Sequence, residues 1–169
     1  HAIDGVLCKG IFTVTVVDNP ALELAMDTID ISCYGAHDGM AEAIPSGGVG
    51  LYKYQWSNGT SAQNLANLGP GQYDVTLSDR NACTLVSGVY IVEPPDVAIN
   101  LIDVLDLICN GTPEGEIRVE GLGGRPPYSF SPDGSTYYPS DTLKNLLAGD
   151  YWVKVKDSHG CKDSVFATI

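Results

Sequence analysis

In Tyr73-Asp74-Val75-Thr76-Leu77 apolar and polar side chains alternate residue by residue. A period of two marks a strand with one face buried and the other in water. Glu116-Ile117-Arg118-Val119-Glu120 alternates in the same way. So does Phe12-Thr13-Val14-Thr15-Val16, and Val89-Tyr90-Ile91-Val92 is its aligned counterpart. Helical periodicity is poor, and 19 glycines and 10 prolines interrupt the chain at short intervals. Asn58-Gly59 and Asp133-Gly134 are turn signals, because both pairs tolerate positive φ. Turns about every 8 to 12 residues, with roughly six or seven short strands per unit, predict an all-β chain of β-sandwiches.

The pattern repeats. Leu65-Ala66-Asn67-Leu68-Gly69-Pro70-Gly71-Gln72-Tyr73 returns as Leu143-Lys144-Asn145-Leu146-Leu147-Ala148-Gly149-Asp150-Tyr151. Asp79 and Asp157 follow the two tyrosines at the same distance, and Cys83 and Cys161 follow the aspartates. A period near 76 residues means an array of small domains. Cys33-Tyr34-Gly35 aligns with Cys109-Asn110-Gly111, Asp38 with Glu114, Gly47-Gly48 with Gly123-Gly124, and Tyr52 with Tyr128. The predicted division is a C-terminal strand of a preceding copy over 1–20, a sandwich over 21–95 and a second over 96–169. Both ends fall at matching seams, so the chain reads as an excerpt of a longer array. Arrays point toward surface, stalk or adhesive proteins before enzymes.

Small sandwiches bury only about 60% of their unfolded surface and benefit from a covalent staple. Equal spacing suggests one disulfide per repeat, Cys33 with Cys83 and Cys109 with Cys161, each contributing up to about 4 kcal/mol. Cys8 aligns with Cys83 and Cys161, so its partner is expected upstream. Paired cysteines in small β domains imply an oxidising, extracellular location. Metal-binding thiols are the rival reading, and the absence of any Cys-x-x-Cys weighs against them. A net charge of −12 argues against nucleic acid and against an anionic membrane surface. No apolar run reaches about 18 residues, so direct membrane insertion is not expected.

Leu68-Gly69-Pro70-Gly71-Gln72-Tyr73 resembles the approach to the sixth strand of fibronectin- and immunoglobulin-like domains. There the tyrosine hydroxyl bonds back to nearby backbone. Tyr73 and Tyr151 are therefore read as structural. The wider set resembles the SprB repeat: Cys33, Gly35, Asp38, Gly39, Gly47, Gly48, Tyr52, Tyr54, Trp56, Ser57, Asn58, Gly59, Leu68, Gly71, Tyr73, Asp79 and Cys83. The second copy departs from it, with no tryptophan near Phe130 and Glu114 in place of Asp38. The resemblance implies tandem immunoglobulin-like or fibronectin-like sandwiches from very large cell-surface proteins of Bacteroidetes. Those proteins are exported by type IX secretion and include mobile adhesins used in gliding. It further implies neighbouring repeats as partners, and attachment to the outer membrane through other parts of the protein.

Candidate chemistry is thin. His1, His37 and His159 occupy non-equivalent, turn-like places, and no nucleophile–base pair emerges. The glycine pairs lack the Lys-Ser/Thr and helix of a phosphate loop. No enzyme activity and no cofactor are expected. Asp38, Glu114, Asp79 and Asp157 could contribute to calcium ligation, but turn stabilisation explains them as well. Asp27-Thr28-Ile29, Asp141-Thr142-Leu143 and Asp163-Ser164-Val165 fit a short O-glycosylation pattern of Bacteroidetes, with Thr28, Thr142 and Ser164 as acceptors. Asn58-Gly59-Thr60 and Asn110-Gly111-Thr112 fit the N-glycan sequon and are read as turns. If Tyr151, Val153 and Val155 face the core, Trp152 faces outward between Lys154 and Lys156. It could then contact a glycan or a surface partner, or be covered by a neighbouring loop or domain. The leading expectation is a structural and adhesive spacer. The alternatives are a glycan- or protein-binding module and accessory domains of a secreted hydrolase.

Overall fold

A computed structural model describes residues 18–106 and 114–169. Cys8, Cys109 and the strand expected at Phe12–Val16 lie outside the described residues. The described residues form twelve strands and no helix. In the first repeat these are β1 (Glu23–Ile29), β2 (Gly39–Ser46), β3 (Lys53–Trp56), β4 (Asn64–Leu68), β5 (Gly71–Ser78) and β6 (Thr84–Ile91). The second repeat has β7 (Ala98–Leu105), β8 (Gly115–Leu122), β9 (Ser129–Ser131), β10 (Thr142–Leu146), β11 (Asp150–Lys156) and β12 (Lys162–Thr168).

Each repeat splits into two three-stranded antiparallel sheets, β1-β2-β4 with β3-β5-β6 and β7-β8-β10 with β9-β11-β12. The alternation read from sequence is the reason. Val75 and Leu77 of β5 are fully buried, as are Val153 and Val155 of β11. Ala41, Ala43, Leu65 and Leu68 of one sheet meet Trp56, Val75 and Ile91 of the other. The arrangement is compatible with the immunoglobulin-like plan. Both tyrosine corners are present: Tyr73 donates to the Gly69 carbonyl at 3.2 Å and Tyr151 to the Leu147 carbonyl at 2.8 Å.

Trp56 is 2% exposed, and its indole N–H donates to the Ala62 carbonyl at 2.8 Å. Register explains why the second repeat lacks a counterpart. Trp56 lies opposite Val75 and Tyr54 opposite Leu77, whereas Phe130 lies opposite Val155, the equivalent of Leu77. Phe130 therefore takes the place of Tyr54. The chain beyond it folds back, with Tyr138 and Phe130 exchanging backbone hydrogen bonds at 2.7 and 2.8 Å.

The disulfide joins Cys33 to Cys161, with Cα atoms 5.7 Å apart. This corrects the expected pairings of Cys33 with Cys83 and of Cys109 with Cys161. Cys33 sits where β6 leaves the first repeat, beside Gly35, whose N–H donates to Glu93 at 2.7 Å. Cys83 sits at the opposite pole, in the β5–β6 turn, and is exposed. The eight residues of β6, at about 3.3 Å each, separate those poles by roughly 26 Å. A disulfide requires Cα atoms within about 7 Å. The bond therefore crosses the seam between repeats instead of closing one of them.

Candidate functional site

The seam is built from the outgoing pole of the first repeat and the incoming pole of the second. On the outgoing side, the Ile31 N–H donates to the Val92 carbonyl at 3.1 Å, and the Val92 N–H donates to Asp30 at 2.9 Å. These bonds tie the β1–β2 loop to the end of β6. Asp38 accepts from the Ser32 N–H at 2.9 Å and from the Ser32 hydroxyl, which holds its carboxyl below the usual carboxylate range. Cys33 is thereby carried at the pole and packs against the core of the second repeat.

On the incoming side the glycine pair has a definite task. The Gly124 N–H donates to the Pro95 carbonyl at 3.0 Å, as Gly48 does to Pro20 at 2.9 Å. Gly123 has φ +63°, and a Cβ there would lie 1.8 Å from the Asp96 carbonyl oxygen. Only glycine permits that backbone approach. Tyr128 donates its hydroxyl to the Gly123 carbonyl, as Tyr52 does to Gly47. The pair clamps the linker onto the sandwich, which agrees with reading it as a structural loop.

Asp157 completes this pole. It is 3% exposed and accepts from the N–H groups of Arg125 at 2.8 Å, His159 at 2.9 Å and Cys161 at 2.9 Å. Burial alone would raise its pKa, but the N–H bonds from Arg125, Cys161 and His159 outweigh it, and the carboxyl is held low. Asp79 does the same in the first repeat, accepting from Val49, Asn81 and Cys83 at 2.9 to 3.0 Å. The Val49 N–H is the largest influence holding Asp79 low. Both aspartates brace turns, the role that local backbone donors imply. Glu114, the counterpart of Asp38, is exposed.

Across the seam, Arg125 Nη2 donates to the Ile31 carbonyl at 3.4 Å, and its Nη1 lies 3.5 Å from His159 Nε2. Cys161, bonded to Cys33, is only 8% exposed. Spacing alone did not single out Arg125, since the aligned residue is Val49.

A second surface lies on the outer face of β9-β11-β12. Trp152 is 59% exposed and Phe166 47% exposed. They are paired in register, with ring centroids 5.4 Å apart in an edge-to-face arrangement. Lys154 and Lys156 continue the row on β11, and Lys156 Nζ lies 4.4 Å over the Tyr137 ring. Lys162 Nζ lies 5.7 Å from the same ring. Trp152 thus faces outward as the alternation required, and none of the described loops covers it. Phe166 and Tyr137 were not legible beforehand. In Val165-Phe166-Ala167 every residue is apolar, so alternation cannot tell which side faces out.

The expected glycosylation residues are scattered over the surface. Thr28 on β1 and Ser164 on β12 are exposed, and Thr142 at the start of β10 is half-buried, its hydroxyl donating to Asp141 at 2.8 Å. No group of three or more His, Cys, Asp or Glu side chains suited to a metal ion occurs among the described residues. No helix among them is long and apolar enough to cross a membrane.

A search of the curated proteins returned no match. The family model of the SprB repeat matches residues 26–61 and 102–135. It is a structural repeat family, not an enzyme family, found in surface-associated, adhesin-like proteins. One match begins within β1 and the other within β7, so the family model matches the first part of each six-stranded unit, in agreement with the resemblance read from the spaced motifs.

Proposed function

We propose that the chain is a stalk segment of a secreted cell-surface adhesin, a spacer that holds a binding region away from the cell. The observation that carries this reading is the Cys33–Cys161 bond. A spacer must resist both bending at its seams and extension under load. Here the seam has a covalent link, a proline-containing linker at Pro94-Pro95, and a clamp on that linker through Gly123 and Gly124. Proline restricts φ and shortens flexible reach. The extension of this reading to gliding motility rests on the family resemblance alone. Small-angle scattering of the oxidised chain and of the Cys33→Ser variant tests it. The expected result is a single elongated distance distribution for the oxidised chain and a broader one for the variant. Identical curves would remove the stiffening role.

A second reading, a glycan- or protein-binding module, is favoured by one observation, the uncovered Trp152–Phe166 pair beside lysines. Exposed aromatic faces stack on sugar rings or fill partner pockets. A glycan array probed with the chain and with Trp152→Ala separates the readings. Saturable binding lost in the variant supports the module, and no binding by either protein leaves the spacer.

A further inference from the structure

We infer that Cys83 is one half of another cross-seam disulfide, whose other half is the Cys33-type cysteine of a repeat preceding it in the array. Repeats are then stapled head to tail instead of being closed one by one. The inference goes beyond the stalk reading and does not depend on it.

The pole that carries Cys83 reproduces the pole that carries Cys161 almost bond for bond. Asp79 N–H donates to the Cys83 carbonyl at 3.1 Å, and Asp157 N–H to the Cys161 carbonyl at 3.0 Å. Each cysteine N–H donates to the Oδ1 of its aspartate at 2.9 Å. The Ala82 N–H returns to the Asp79 carbonyl at 3.1 Å, and Gly160 to Asp157 at 3.2 Å. The Arg80 N–H reaches the Val49 carbonyl at 3.3 Å, and Ser158 reaches Arg125 at 2.9 Å. The incoming chain is seated alike, through Gly48 on Pro20 and Gly124 on Pro95. At the pole where a neighbouring repeat sits, the cysteine is oxidised and buried. At the other pole the same cysteine, held by the same turn, is a free and exposed thiol.

The occupant follows from what fills the occupied pole. That is a loop bearing Cys-x-Gly, tied to the end of the last strand of the repeat before it, as Cys33-Tyr34-Gly35 is through Glu93. Within its own repeat Cys83 has no such partner, because Cys33 lies at the far pole and is already bonded to Cys161. The step is the one that made the Cys33–Cys161 bond. Two thiols release two protons and two electrons to the disulfide of a thiol oxidase, which leaves as a dithiol. Along an array the staples interleave, because the first cysteine of each repeat precedes the second by 50 to 52 residues.

Peptide mapping of the protein as secreted by its own cells, alkylated with iodoacetamide and digested without reduction, tests the assignment. The expected product joins the Cys83 peptide to the peptide of a Cys33-type cysteine N-terminal to Cys8 in the same polypeptide, and a bond to Cys8, which aligns with Cys83 itself, overturns the assignment. Cys83 recovered as the alkylated thiol, as a glutathione adduct, or bonded to Cys33 or Cys109 of its own chain overturns it. A Cys83 bond between two separate polypeptides, seen as a dimer on a non-reducing gel, overturns it as well. The Cys83→Ser variant alters an exposed residue and leaves Cys33–Cys161 intact. It should gain one alkylated cysteine per chain, and no gain refutes the proposal.

Discussion

Pulling the chain by its two ends isolates the consequence of a staple that crosses the seam. Cys33 and Cys161 are separated by 128 positions. While the bond holds, load passes from β1 through the disulfide into β12, and the chain between the cysteines cannot extend. An extended chain spans at most about 3.6 Å per residue, so reduction should release roughly 460 Å of hidden contour length. Pairing within each repeat would instead hide loops of about 50 residues, near 180 Å apiece. The unfolded-state account adds a thermodynamic expectation: closing a loop of this size stabilises by about 5 kcal/mol on the chain-entropy estimate, an upper figure. Single-molecule stretching with and without a phosphine reductant reads the first quantity directly, and Cys33→Ser should match the reduced wild type. Equal total extension in both redox states, or release in two steps near 180 Å, would refute the load path drawn from this structure.

Four other outcomes follow from the core and the poles. Asp157→Ala strands three N–H donors, that of Cys161 buried and those of Arg125 and His159 partly so, and should cost about 3 kcal/mol in chemical denaturation. Asp79 and Asp157 have depressed folded pKa values, so their contribution is complete above the unfolded value near 3.8 and fades as pH falls below it. Thermal melts from pH 7 to pH 2 should show that loss, and Asp157→Asn should flatten it. Millimolar calcium should leave the melting temperature unchanged, because backbone N–H donors already point at both carboxylates and would repel the ion. Trp56→Ala should cost about 3 to 5 kcal/mol through the cavity left in the first core, while Phe130 in the second repeat continues to melt as before.

How much was legible beforehand depends on the range of the interaction. Alternation at Tyr73–Leu77 and Glu116–Glu120 is local, and β5 and β8 formed where it lay. The tyrosine corners were also readable, since each hydroxyl reaches a carbonyl only four residues back. The donors to Asp79 and Asp157 from within their own turns follow from nearby residues, whereas the Val49 and Arg125 N–H groups that complete each carboxylate reach it only through the fold. Tryptophan at Trp56 and its loss in the second copy were visible, but the register that moves Phe130 into the place of Tyr54 was not. Likewise Trp152 could be assigned an outward face, while its contact with Phe166 awaited the pairing of β11 with β12.

The sequence by itself determined the repeat, its all-β character and the SprB resemblance, because these rest on periodicity and spacing along one chain. It misled on the cysteines. Equal intervals of 50 and 52 residues suggested partners within a repeat, yet an interval says nothing about which end of a sandwich a residue occupies. Six antiparallel strands carry the first repeat back and forth between two poles, and Cys33 and Cys83 finish at opposite ones. Only the tertiary structure decided that the outgoing pole of one repeat meets the incoming pole of the next, within the 5.7 Å that lets Cys33 and Cys161 bond.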